Sequence, residues 1–258
     1  CINKMDLMDY DQGTYEKIMH DFEDFASRLN VKDIRYVPIS ALHGDNVVKR
    51  SENMKWYDGP TLIHVLENLH IASDYNHEDP RFPVQYVVRP QSDEYHDFRG
   101  YAGRVAGGTF RPGDRIMVLP SGLTSTIKHI YEGNRELDES FPPQSVTITL
   151  EDDIDISRGD MIVKENNLPK SERQIEVMLN WMNPKALQIR QKYVLMHTTS
   201  TVRALPTEIK YKVDVNTLDK SNHASQLTLN EIGHVVLKLS GTLNFDPYKR
   251  NRQTGSII

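Results

Sequence analysis

Asn3-Lys4-Met5-Asp6 opens this chain, and Ser40-Ala41-Leu42 follows one strand-and-helix step later. Between them the turn-like Asp11-Gln12-Gly13-Thr14 leads into Ile18, Phe22, Phe25 and Leu29 at helical spacing, which predicts an amphipathic helix with Thr14 as its N-cap. The apolar run at 34–39 then reads as a buried parallel strand ending at Ser40. Pro60 suits the first turn of a further helix carrying Leu62, Val65, Leu66 and Leu69 on one face. Strand, helix, strand, helix is the end of a doubly wound α/β sheet. Such sheets bind ligands at the carboxyl ends of their strands, where both quoted motifs fall.

The residue types in those motifs suit one base. Guanine presents N1–H and the exocyclic N2–H₂ as adjacent donors, and a single carboxylate, assigned here to Asp6, accepts both. Adenine would leave that charge without a partner. Sites built around a specific hydrogen-bonding group reject the analogue lacking it by about 10⁴–10⁵. The Asn3 amide is placed to bridge the base edge and the neighbouring loop. Lys4 can lay its aliphatic stem across the ring with its ammonium solvated. Ala41 offers a backbone N–H to guanine O6, Ser40 braces the turn, and Leu42 is expected to pack. The phosphate-binding half is missing: there is no Gly-x-x-x-x-Gly-Lys-Ser/Thr loop and no Gly-Lys pair. The chain also opens without Met, inside an apparent strand, and is expected to be a piece of a longer GTP-binding protein.

After a linker at 73–80 the texture changes. Short runs rich in β-branched and aromatic residues at 82–89, 101–105, 115–119, 126–131, 146–150 and 161–164 are separated by turn signals such as Gly107-Gly108 and Arg111-Pro112-Gly113-Asp114. This pattern predicts a small antiparallel barrel. A second linker at 166–170 introduces strands expected at 175–179, 193–205, 208–215 and 233–243. The expected fold class is therefore α/β plus all-β, with an α/β part at 1–76 and antiparallel β-barrels at 80–166 and 168–258.

Composition sets wide bounds on this reading. The 258 residues allow two or three domains. A net charge of −5 gives no general attraction to nucleic acid or to an anionic membrane, so neither is expected as a partner. Cys1 is the single cysteine, which excludes an intrachain disulfide and fits a reducing, cytoplasmic setting. No apolar run approaches the roughly 20 residues of a membrane span.

Other signals carry less. Asp97-Phe98-Arg99-Gly100 matches a GTPase-switch pattern but lies on the wrong side of the guanine motifs, so it reads as a turn. The acidic stretch at 151–155 fails as a calcium loop, because Lys164 stands where a closing glutamate would be needed. The histidines form no His-Glu-x-x-His, and Ser92 and Ser121 lack a nucleophile-elbow pattern. Lys249, Arg250 and Arg252 read as a solvated strand end. No catalytic residue and no metal ligand is assigned.

The order of these motifs resembles a translation-factor-type GTPase, whose G domain is followed by two β-barrels. Gly103-Arg104-Val105, Gly108 and Arg111-Pro112-Gly113-Asp114 are similar to the second-domain hairpin of that superfamily, and Trp56-Tyr57-Asp58-Gly59-Pro60-Thr61-Leu62 also recurs there. Four stretches, at 40–48, 81–90, 98–103 and 150–160, narrow the resemblance to the large, GTPase subunits of bacterial sulfate adenylyltransferases. It implies that residues 1–76 are the C-terminal portion of a P-loop GTPase domain, and that Asn3, Lys4, Asp6, Ser40, Ala41 and Leu42 bind the guanine of GTP. It also implies Mg²⁺ beside the triphosphate, with ligands absent from this sequence. The smaller, adenylyl-transferring subunit is the implied partner. The implied activity couples GTP hydrolysis to formation of adenosine 5′-phosphosulfate from ATP and sulfate, in sulfate assimilation. Lacking the phosphate loop and switches, this stretch alone is expected to be inactive and to bind GTP weakly. An elongation- or release-factor-like GTPase that binds tRNA or the ribosome is the alternative.

Overall fold

The computed structural model describes residues 1–29, 31, 33–69, 75–89, 98–222 and 224–258. Pro90, Ser92 and Asp97, singled out above, lie outside the described residues, as does the start of the 73–80 linker. The chain divides into two compact units, Cys1–Ala72 and Ser73–Ile258.

In the first unit the segments that lead into the two motifs run side by side. Ile2 and Pro38 form a parallel bridge. Ile2 N–H donates to Val37 O at 2.9 Å, and Ile39 N–H to Ile2 O at 2.8 Å. Val37 and Ile39 are buried, as the apolar run requires. The pairing stops at that bridge, so 34–39 is an extended segment rather than the full strand expected.

Helix α1 spans Gln12–Ala26. Its cap is Asp11, not Thr14: Asp11 Oδ2 accepts the Thr14 N–H at 2.7 Å and the Thr14 hydroxyl at 2.8 Å. A carboxylate there satisfies an orphan N–H and also faces the positive end of the helix dipole. The inward face differs from the expected one as well. Tyr15 and Ala26 are buried, whereas Ile18 and Phe22 are more than 40% exposed. Tyr15 sets this rotation, its ring lying 5.2 Å from Trp56 and 6.3 Å from Tyr57. Helix α2, Leu62–Glu67, is capped by the Thr61 hydroxyl, which accepts the His64 N–H at 3.4 Å. Pro60 therefore precedes the cap instead of occupying the first turn. Val65 is buried while Leu66 and Leu69 are exposed, which narrows the stripe expected from periodicity.

Among the described residues, the regular structure of the second unit is β apart from the short helix α3, Arg252–Gly255. Its first seven strands are β1 (Arg81–Val88), β2 (Gly100–Arg104), β3 (Arg115–Leu119), β4 (Leu123–Glu132), β5 (Arg135–Glu136), β6 (Ser145–Leu150) and β7 (Met161–Lys164). They pair in the order β3-β7-β1-β2-β6-β4-β5, and β3 also pairs with β4, which closes the ring into a barrel. Period-2 alternation sends Ile116, Val118 and Ile148 into the core with Phe82 and Phe110. In β4 the alternation breaks: Ser125 and Ile127 point inward, and then Ile130. A bulge between Ile127 and His129 accounts for it, because one extra residue moves every later side chain to the other face.

The remaining strands are β8 (Lys170–Asn180), β9 (Leu187–Gln188), β10 (Tyr193–His197), β11 (Ser200–Val213), β12 (Lys220–Asn222), β13 (Gln226–Leu227) and β14 (Ile232–Phe245). The main sheet runs β10-β11-β14-β8, with β12 on β11, and β9 pairs with β13. Ile175, Leu195, Val235, Leu237 and Leu227 form its core. The expected single strand at 193–205 is a hairpin whose tip is Thr198 at φ 51°. The two-residue turn, Thr198-Thr199, carries no Gly or Asn, which is why pattern reading runs through it. The run expected at 208–215 belongs, as far as Val213, to the same long strand β11.

Polar groups that reading for periodicity passes over join the two barrels. Arg81, 1% exposed, donates from Nε and Nη2 to the two Asp246 carboxylate oxygens at 2.9 Å each, and from Nη1 to Pro80 O and to Asn167. Asp246 also accepts the Thr254 hydroxyl at 2.7 Å. Arg250 is exposed but not merely solvated: its Nε and Nη2 donate to Asp79 at 2.5 and 2.6 Å. Asn251 caps α3 with Oδ1 and donates from Nδ2 to Ala106 O at 3.0 Å. Gly108 stands against this junction at φ +59°, where a Cβ would lie 2.3 Å from Pro80 N, so no larger residue fits.

The Arg250 hydrogen bonds, opposed by burial and aided by Asn76 and Asn167, hold the Asp79 carboxyl well below the usual carboxylate range. The linkage sign follows from that depression. Asp79 contributes stability that is complete above its unfolded value of about 3.9 and is lost as pH falls through the folded value. Asp79→Asn should therefore lower stability at pH 7 and flatten its decline below about pH 4. Urea melts across that range measure it, and parallel pH profiles for the two proteins would refute it. Among the described residues no helix is long and apolar enough to cross a membrane.

Candidate functional site

The parallel bridge at Ile2 and Pro38 brings the two motif loops together. Beyond it, Met5 N–H donates to Ile39 O at 3.2 Å. Asn3 links the loops directly, since its Oδ1 accepts the Lys4 N–H at 2.7 Å and the Ala41 N–H at 3.1 Å. Two bonds to Oδ1 fix the amide, leaving Nδ2 on the opposite side and without a described acceptor. That is the orientation an amide needs to donate to the edge of a bound base.

Lys4 is exposed and lies in the left-handed region at φ 65°. A short 3₁₀ helix, Met5–Met8, starts immediately after it, with Met5 buried beneath and Asp6 half-buried in its first turn. The Asp6 carboxylate accepts no hydrogen bond from any described residue, so both oxygens are available to a ligand's paired donors. Ser40 is fully buried. Its hydroxyl accepts the His43 N–H at 3.3 Å and its carbonyl accepts the Gly44 N–H at 2.8 Å. It braces the turn from within.

Two details differ from expectation. The Ala41 N–H assigned to guanine O6 is already engaged by Asn3, so a base carbonyl there competes with that side chain. Leu42 does not pack. It is 80% exposed, because the tight turn between Ser40 and Gly44 projects its middle residues outward.

Behind these loops lies a layer with no periodicity by which sequence reasoning could find it. The Tyr10 hydroxyl donates to Asp45 Oδ2 at 3.0 Å, and Ser51 Oγ donates to Asp45 Oδ1 at 2.6 Å. Asp45 pairs through its backbone with Ser40, whose N–H donates to Asp45 O at 3.2 Å. Tyr10 N–H closes onto Met5 O at 2.9 Å, and Trp56 Nε1–H donates to Tyr10 O at 2.9 Å. Asp9 and Tyr10 both take positive φ, 49° and 57°. Two successive non-glycine residues in that region are strained and persist only where surrounding contacts hold them. Asn46, 2% exposed, donates to Pro38 O at 3.0 Å and accepts the Ser51 N–H at 2.8 Å.

In the second unit a cavity of about 570 Å³ opens on the first barrel among Arg99, Tyr101, Lys128, His129, Tyr131 and Asp153. Arg99 is neutralised there by Asp153 and Asp155, so the charge is mixed rather than a cationic stripe.

Comparison with known proteins bears on the whole chain. Residues 174–258 match the family described as GTP-eEF1A C-terminal domain-like. The chain is 47% identical over 258 residues to sulfate adenylyltransferase subunit 1 of Bacteroides fragilis, covering all of this chain and 53% of that protein. It is 48% identical over 259 residues to the bifunctional enzyme CysN/CysC of Mycobacterium tuberculosis, covering 42% of it. The chain thus spans about half the length of the curated relatives it matches. Among solved structures, sup35 complexed with GDP superposes with a TM-score of 0.64 at 19% identity, over 99% of this chain and 64% of that one. The elongation factor SelB of Methanococcus maripaludis gives 0.52 at 19% identity, over 95% of this chain and 51% of that one. These two likenesses show a shared fold and nothing beyond it.

Proposed function

We infer, from a likeness to sulfate adenylyltransferase subunit 1 that runs the full length of this chain, that it forms part of a GTP-binding subunit of that enzyme. In this reading residues 1–76 supply the guanine-reading end of a G domain, and 80–166 and 168–258 supply two barrels. The complete protein couples GTP hydrolysis, with Mg²⁺ at the triphosphate, to adenylyl transfer from ATP to sulfate on a smaller partner subunit in the cytoplasm. The product holds a sulfuric–phosphoric anhydride, so an uncoupled reaction would lie far toward ATP, and a second hydrolysis supplies the driving force.

The observation that carries the guanine assignment is the Asn3–Ala41 hydrogen bond, which joins the two motif loops while Asp6 stays free to accept. Asn3 Nδ2 and the Asp6 carboxylate then meet the base edge, Lys4 covers its face, and Ser40 holds the loop carrying Ala41. Leu42, at the exposed turn tip, bounds the same site. The residues present provide the base-reading donors and acceptors. Phosphate and metal contacts belong to parts that this sequence does not contain.

Asp6→Ala in the complete protein tests the reading. It removes two charge-assisted hydrogen bonds worth about 1.5–3 kcal/mol each, so GDP affinity should fall by roughly 10²-fold or more. Calorimetric titration measures it, and GTP stimulation of adenosine 5′-phosphosulfate formation should weaken in parallel. Unaltered GDP affinity would remove Asp6 from the base site.

A further inference from the structure

We infer that Tyr10 and Asp45 form a positioning latch that sets the spacing between the Asp6 turn and the Ala41 loop, and so tunes discrimination for the guanine amino group. The inference rests on the guanine reading proposed above. Neither residue belongs to the quoted motifs, and neither touches a base in that reading.

Each partner is rigidly tied to one loop. Tyr10 belongs to the turn that begins at Met5: its N–H closes on Met5 O at 2.9 Å, and its carbonyl is held by the Trp56 indole at 2.9 Å. Asp45 belongs to the other loop, pairing with Ser40 through the backbone while Ser51 holds its second oxygen at 2.6 Å. The 3.0 Å bond between phenol and carboxylate is the side-chain tie between these two assemblies behind the motifs. On the ligand side the loops meet through Asn3 and Ala41, a contact that a base carbonyl at Ala41 would disturb. The rear tie keeps the loops in register when that front contact yields. Tyr10 also lies at φ 57°, a conformation that its hydroxyl and carbonyl contacts hold in place. Burial, and then the Asp45 carboxylate, push the Tyr10 phenol up, so it stays a donor across neutral pH.

A bidentate carboxylate contact is sensitive to a few tenths of an ångström. Loosening the latch should therefore weaken the nucleotide that uses both Asp6 oxygens more than one that uses a single donor. Inosine diphosphate lacks the exocyclic amine and is that comparison. In the complete protein, Tyr10→Phe should weaken GDP binding about tenfold, with inosine diphosphate affected far less, which compresses the ratio of their affinities. Asp45→Ala should do the same, whereas Asp45→Asn retains an acceptor and should restore most of the ratio. Equal weakening of both nucleotides, or an unchanged ratio in both Tyr10→Phe and Asp45→Ala, would overturn the latch, since a role only in folding moves both alike. Asp6→Ala in the same assay separates the two failures. If it leaves GDP affinity intact, the guanine reading falls and the latch with it. If it abolishes discrimination while the latch variants do not, the latch alone falls.

Discussion

Replacing Arg81 by alanine is expected to destabilise the unit Ser73–Ile258 by about 3–5 kcal/mol, the range for removing one member of a buried ion pair. Arg81 and Asp246 have side chains only 1% and 4% exposed and share two hydrogen bonds of 2.9 Å. The alanine variant leaves the Asp246 charge buried without its bidentate partner, the Thr254 hydroxyl still donating to it. Asn167 and Pro80 O also lose the Nη1 donors. For a unit of this size the loss corresponds to a melting temperature lower by roughly 10 °C. Arg81→Met combined with Asp246→Leu removes both charges, and should recover much of the loss because apolar replacement of a whole buried pair is often close to neutral. Thermal and urea unfolding of the three proteins decide it. Equal melting temperatures for wild type and Arg81→Ala would mean that this pair contributes nothing to joining the barrels.

Asp6→Asn is expected to exchange the base preference of the complete protein from GTP toward xanthosine triphosphate. Xanthine keeps N1–H and replaces the guanine amine by a carbonyl. An asparagine accepts from the first and donates to the second, whereas its NH₂ opposes the guanine amine. Matched and mismatched hydrogen-bonding groups in such a site differ by about 10⁴–10⁵ in favourable cases, so the preference ratio should move by several orders of magnitude. Competition between the two nucleotides in a hydrolysis assay measures the ratio. A preference left at its original value would place the Asp6 carboxylate away from the base. The half-buried setting of Asp6 beside a buried Met5, with no hydrogen-bond partner among the described residues, is what makes a single-residue exchange sufficient.

These two experiments probe features with different visibility in the sequence. The strands at 115–119 and 161–164 were legible to the residue, because short runs of β-branched and apolar side chains between turn residues read as strands. The Arg111-Pro112-Gly113-Asp114 turn was legible for a similar reason: Gly113 adopts φ +88° and Asp114 accepts the Arg111 N–H at 2.8 Å. The bulge in β4 and the hairpin at Thr198 were not, since neither changes composition. The inward face of α1 was misjudged because Tyr15 finds aromatic partners far along the chain at Trp56 and Tyr57. Local periodicity cannot register a contact of that range.

The amino-acid sequence alone determined the order of an α/β part and two β-rich parts, and nominated an acidic side chain and two loop motifs for guanine. Those properties reside in residue type and short-range spacing. Tertiary structure alone decided that Asn3 occupies the Ala41 N–H, that Tyr10 meets Asp45, and that Arg250 and Arg81 bind Asp79 and Asp246 across the barrel junction. Each joins residues separated by 35 to 171 positions. The partner of a charge or a hydroxyl is set by where folding brings the chain back upon itself, and nothing in the local pattern encodes it.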